Sequence, residues 1–123
     1  MESFQLSKIL IKKIAELILA KKNTTLKKLV NDLHFADMAE IINELSEDQG
    51  IYLIKLFDSE KTSEILTELD EDVREKILEG LSVKEIVDEI EELDSDDAAD
   101  ILAELSEERK EEVISKISDD NLA

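Results

Sequence analysis

The sequence predicts an all-α fold, an α-solenoid in which short helices stack on a 12-residue repeat. Three observations carry this expectation. The 123 residues include no proline and only two glycines, Gly50 and Gly80, while Leu, Ile, Glu and Lys dominate, so the residues that end helices or build hairpins are scarce. From Leu33 onward an apolar marker recurs every twelve residues without an insertion, at Leu33, Leu45, Phe57, Leu69, Leu81, Leu93, Leu105 and Ile117. The residue after each marker is His34, Ser46, Asp58, Asp70, Ser82, Asp94, Ser106 or Ser118, and seven of these eight are Ser or Asp, whose side-chain oxygens bond the free amides of a new helix.

Each element follows in turn. Residues 4–22 place Leu6, Ile9, Leu10, Ile14, Leu17 and Ile18 at helical spacing with lysines opposite, which predicts a first helix that covers one end of the core. A basic amphipathic helix also suits an anionic membrane surface, the less economical reading. Asn23, Thr24 and Thr25 then supply a break and an N-cap, and residues 26–33 form a short second helix. Each following unit carries an apolar pair eight and nine residues in: Ile41/Ile42, Leu53/Ile54, Ile65/Leu66, Ile77/Leu78, Ile101/Leu102 and Val113/Ile114, with Glu89/Ile90 a half exception. A helix of about nine residues is only ~13 Å long and is not stable alone, so neighbours must stack to bury those pairs. That is the physics of a solenoid, and about nine or ten helices fit the length. The last unit, Ser118 to Asp120, reads as a cap whose helix never comes, the mark of a piece of a longer chain.

Charge narrows the function. The net charge of −18 combines an N-terminal 30 residues at +5, seven Lys against two Glu, with a remainder at −23. So acidic a body repels phosphate backbones and attracts cations and basic surfaces, which argues against nucleic acid as a partner. Cysteine is absent, excluding disulfides and thiolate sites. The apolar stretch at 9–20 is broken by Lys12, Lys13 and Glu16, which excludes a membrane span or secretory signal within this chain. No catalytic constellation stands out: His34 is the single histidine and occupies a cap position, so no enzyme is expected and no catalytic residue is assigned.

Residues 93–100, LDSDDAAD, hold the densest carboxylates. Asp94, Asp96 and Asp97 imitate the start of a calcium loop, but its sixth position is Ala99 instead of glycine and its twelfth is Leu105 instead of glutamate. The capping reading makes Asp94 an N-cap and places Asp96 and Asp97 in the first turn, where the helix dipole contributes roughly 0.3–1 kcal/mol each. Asp100 stacks one turn above Asp96, a like-charge pair that costs roughly 0.2–0.5 kcal/mol. The same position of other units holds Glu40, Glu64, Asp88 and Glu112, an acidic stripe that is either a solvated face or half of a cation site. Oxygen-only ligands with room for water suit Mg²⁺ best.

LHFADMAEIINEL from Leu33, SEILTELDEDVREKILEGL at 63–81 and IEELDSDDAADILAELSEE from Ile90 resemble the cytosolic N-terminal domain of the MgtE family of magnesium transporters, over roughly residues 5–122. One departure is Phe35, where the family usually has proline, and this change loosens the helix start. The resemblance implies a single right-handed superhelical domain over 1–123, a fragment from which CBS and transmembrane domains are absent. It also implies a regulatory role at the cytoplasmic face of the membrane, in which Mg²⁺ held between this domain and the CBS domains favours a closed pore. The family's ligands carry over onto Glu64, Asp96 and Asp100, with Asp97 an adjacent candidate. The implied partners are the CBS domains and the transmembrane pore domain of a homodimeric full-length chain; the fragment itself is expected to be soluble, monomeric and only a weak binder of Mg²⁺. Glu64 and Asp100 are three units apart, so they share a surface only if the superhelix twists them together. The competing reading is an acidic α-solenoid adaptor that docks a basic protein and has no metal role.

Overall fold

The computed structural model describes residues 2–122, with side chains described from 8 to 117. Among the described residues there are nine helices and no strand: α1 (Glu2–Leu19), α2 (Asn23–Asn31), α3 (Phe35–Glu44), α4 (Glu47–Ile54), α5 (Ser59–Glu68), α6 (Glu71–Glu79), α7 (Val83–Glu91), α8 (Ser95–Glu104) and α9 (Glu107–Leu122). From α3 on, the helix starts follow the 12-residue period. Each begins directly after the residue that follows a marker.

Helices two apart in sequence stack on one another. α3, α5, α7 and α9 form one row, α4 packs on α6 in a second, and α8 lies against α7. Two layers result. Between them runs one continuous core in which Met38, Ile42, Leu53, Ile54, Ile65, Leu66, Ile77, Leu78 and Ile86 are fully buried. The apolar pairs of α3 to α6 therefore supply the centre of the core, as their spacing predicts. In the last two units only Ile101 and Val113 are buried, whereas Leu102 is half-buried and Ile114 is 47% exposed, because no later helix covers that side among the described residues. The markers are less uniform: Leu69, Leu81 and Leu105 are buried, whereas Leu33, Leu45, Phe57 and Leu93 are half-buried. Leu45, Leu69 and Leu105 are extended, at ψ of 162°, 153° and 154°, and each links one helix to the next cap residue. A marker thus reverses the chain while its side chain closes the edge of the core.

α1 covers the end of this stack by packing on α2, α3 and α4. Ile14 and Ile18 are buried and Leu10 and Leu17 join them at the margin, but Ile9 is 67% exposed and Ile11 takes the inward place instead. The side chains of Phe4 and Leu6 lie outside the described residues. α1 ends earlier than its pattern predicts, at Leu19, because Lys21 adopts the left-handed conformation (φ 55°). The amides of Lys21 and Lys22 then bond the carbonyls of Ile18 and Leu17 at 3.0 and 2.9 Å, the two hydrogen bonds of a Schellman turn. α2 consequently begins at Asn23, three residues before the expected start, with no side-chain cap. Asn23 is otherwise engaged: its Oδ1 accepts a hydrogen bond from the Tyr52 hydroxyl of α4.

The caps are partly as expected. Ser46 with Gln49 and Ser82 with Glu85 form reciprocal capping boxes, and Asp58 and Ser106 accept from the amides of Lys61 and Arg109. Asp70 and Asp94 hold the cap conformation without a side-chain bond. His34 caps α3 instead through Nδ1, which accepts the Ala36 amide at 3.1 Å, and the ring of Phe35 lies 4.1 Å from its own. The start that proline's absence was expected to loosen is held by this pair. The eighth unit departs from the repeat, because α9 runs unbroken through Ser118 to Leu122.

Gly80 has a packing reason. A Cβ there would stand 2.3 Å from Cδ1 of Ile51, so the absence of a side chain lets α4 and α6 approach.

Two stability outcomes follow. Leu66→Ala should cost on the order of 2–5 kcal/mol in urea unfolding, and Leu93→Ala, half-buried at the edge, distinctly less. Lys21→Gly should stabilise the chain by about 0.5–1 kcal/mol, read as a higher melting temperature, since glycine relieves the left-handed strain at an exposed position.

Candidate metal-binding surface

The two-layer stack decides where the acidic stripe lies. Glu40, Glu64, Asp88 and Glu112 belong to α3, α5, α7 and α9, so they run along a single row of stacked helices. Asp100 stands at the same unit position on α8, outside that row, where α4 and α6 carry Tyr52 and Lys76. The stripe has a 24-residue period, and the 36 residues between Glu64 and Asp100 place them on different layers. The signal was present in the spacing; only the stacking order gives it meaning.

α8 presents its three candidates unequally. Asp96 is exposed in the first turn and Asp100 exposed one turn later, while Asp97, also in the first turn, is half-buried. None of the three, nor Glu64, forms an ion pair among the described residues. Glu64 lies in a different place, a groove of about 350 Å³ formed with His34, Phe35, Asp58 and Lys61. Lys61 is committed there, donating to the carbonyl of Asn31 at 3.2 Å and lying 5.1 Å from the centre of the Phe57 ring. Among the described residues no group of three or more His, Asp or Glu stands close enough together to hold a metal ion. The donor chemistry suits Mg²⁺, since every candidate is a hard oxygen, but each place offers part of a coordination shell.

Arg74, which sequence reasoning passed over, bears directly on Asp100. It extends from α6, and its Nε donates to both oxygens of Glu104 at 3.1 and 2.8 Å, while Nη1 reaches the carbonyls of Leu66 and Leu69 at 3.1 and 3.2 Å. Glu104 above all, with Glu71 and Asp100 adding their fields, holds the guanidinium charged above its ordinary range against the cost of burial. The same field acts on Asp100 in return and offsets part of its repulsion with Asp96. Arg109 plays a related part: it donates to the carbonyls of Leu78, Glu79 and Leu81 at the end of α6. The only two arginines in the chain thus reach the carbonyls at and just beyond the ends of α5 and α6, adding to the turn bonds that Leu66 and Leu78 already accept from the amides of Leu69 and Leu81.

Residues 33–123 match the family model of the MgtE intracellular N domain. A solved structure described as the soluble part of a magnesium transporter is similar over 89% of this chain and 48% of that one, at 16% identity and a TM-score of 0.46. This chain therefore spans about half the length of that neighbour. No curated protein sequence matches the chain.

Arg74→Met should cost roughly 3 kcal/mol, because it leaves the Glu104 carboxylate buried and unpaired. The double substitution Arg74→Met with Glu104→Leu should recover much of that loss in the same denaturation measurement.

Proposed function

Because this chain belongs to the family of MgtE intracellular N domains, we propose that it is the cytosolic regulatory domain of a magnesium transporter and that it senses intracellular Mg²⁺ with an acidic surface completed by a second domain. Glu64, Asp96 and Asp100 provide this chain's share of the ligands, and Asp97 stands beside them. The remaining ligands come from the CBS domains of the full-length protein, and the pore closes when the surfaces meet.

One observation carries the reading: Glu64, Asp96 and Asp100 are exposed and, among the described residues, form no ion pair and no group of three or more ligands, so that most of a coordination shell is left to be supplied from outside. Two like-charged surfaces repel until a divalent ion lies between them, so their closure becomes an equilibrium set by the ion's concentration. Mg²⁺ keeps several of its waters and binds through one or two carboxylates, which suits a site divided between domains. Because Glu64 and Asp100 belong to different layers, they serve two contacts with the second domain. Among the described residues no helix is long and apolar enough to cross a membrane. The pore therefore belongs to another part of the transporter.

Titration of this chain alone with MgCl₂, followed by calorimetry, should give only weak, millimolar-range binding. Submillimolar affinity lost in Asp96→Asn and Asp100→Asn would show a complete site within this chain and overturn the divided one. In the full-length transporter, Asp100→Asn should weaken Mg²⁺-dependent closure roughly 10–100-fold, the range that even outer-shell partners of a bound metal command. Association that is sensitive to salt and indifferent to Mg²⁺ would instead favour an acidic adaptor.

A further inference from the structure

The first place of the inward apolar pair is filled by Ile41 in α3, Ile65 in α5 and Val113 in α9, all buried. In the same row α7 places a carboxylate there. Glu89 is 6% exposed, and its Oε2 has no hydrogen-bond partner. The side chain lines a cavity of about 130 Å³ where α7 meets the corner between α4 and α5, together with Lys55, Ser59, Thr62, Glu85 and Asp88. A charged carboxylate there would be largely withdrawn from bulk water and, at Oε2, without a donor, so its surroundings favour the protonated form.

The other charged residues that line the cavity are few and already engaged. Lys55, from the α4–α5 corner, is the one cation among the lining residues, and its Nζ lies 3.9 Å from Oε1 of Glu85. On α7 itself, Asp88 is paired with Lys84 at 3.1 Å. α5 contributes only the hydroxyls of Ser59 and Thr62, and that of Thr62 donates to the carbonyl of Ile54 at 3.3 Å. α8 and α9, the other neighbours of α7, contribute no lining residue. On α9, Arg109 is held by carbonyls of α6 and Lys110 by Glu107 at 3.5 Å.

We propose that Glu89 is a proton-operated latch on α7. With its proton it packs as one of the core side chains that hold α7 against the α4–α5 corner. On releasing that proton to water, the carboxylate draws solvent and the Lys55 ammonium into the cavity, and the seam loosens. Lys55 is within reach because its present partner, Glu85, lines the same cavity.

The pH range follows from the environment. Burial first, then the nearby charges of Glu85 and Asp88, push the Glu89 carboxyl up to about 8, from 4.5 for an ordinary glutamate. Between those two values the folded chain holds a proton that the unfolded chain has lost. Stability from this group is thus complete below about 4.5 and declines as pH rises to about 8, where the decline ends. A sensor of pH near neutrality results, adjoining the acidic outer row through Asp88, which lines the same cavity.

Carboxyl-carbon NMR of the ¹³C-labelled chain, with amide hydrogen exchange measured in parallel and corrected for its intrinsic pH dependence, tests the latch without Mg²⁺. Glu89 should titrate near pH 8. Protection of α7 and the α4–α5 corner should fall by up to about tenfold per pH unit between pH 6 and 8. Glu89→Gln should abolish that fall, and Lys55→Met, which removes the cation that receives the carboxylate, should move the Glu89 midpoint higher. A Glu89 midpoint in the ordinary carboxylate range would overturn the proposal. So would protection that ignores the ionisation, a slope unchanged in Glu89→Gln, or a midpoint unmoved by Lys55→Met.

Discussion

Helices of eight to ten residues cannot stand alone, and the burial of one apolar pair per helix between stacked neighbours is the constraint on which this structure depends. Each pair contributes only where the next unit covers it. That requirement fixes the period, since a helix, a reversal and a cap consume twelve residues. It also explains the arginines, whose forks reach across the reversals to carbonyls at and just beyond the ends of short helices.

The same geometry sorts the charges. Because units alternate between layers, a residue type repeated every 24 positions becomes a row on one side of the molecule, and Glu40, Glu64, Asp88 and Glu112 form such a row. A row of like charge opposes contact with any other acidic surface, and a divalent ion reverses the sign of that interaction. The proposed regulatory role thus needs no moving part within the domain. It uses the repulsion that the repeat builds in.

Two residues depart from the repeat in opposite ways. Asp100 carries the stripe's carboxylate on the wrong layer, beside the field of Arg74, and it remains exposed. Glu89 carries a carboxylate at a core position, with no donor for one oxygen. The first is a surface charge partly balanced from within. The second is an interior charge held off by its surroundings, and a repeat that elsewhere fills this place with Ile, Leu or Val gives no packing reason for it.

The sequence by itself determined the fold class, the period, the inward pairs at Ile65/Leu66 and Ile77/Leu78, and the capping roles of Ser46, Asp58 and Ser82, because each depends on neighbours within about a dozen residues. The break in the Ile/Leu pairing at Glu89 was legible too, although its burial and its unpartnered oxygen were not. Tertiary structure alone decided that Asn23 serves Tyr52 instead of capping α2, that α9 runs past Ser118, and that Arg74 lies against Glu104 thirty residues away. It also decided that Glu64 and Asp100 belong to different layers. Local hydrogen bonding and hydrophobic periodicity are written along the chain, whereas the partner of a long polar side chain is set by which helices the stacking brings together.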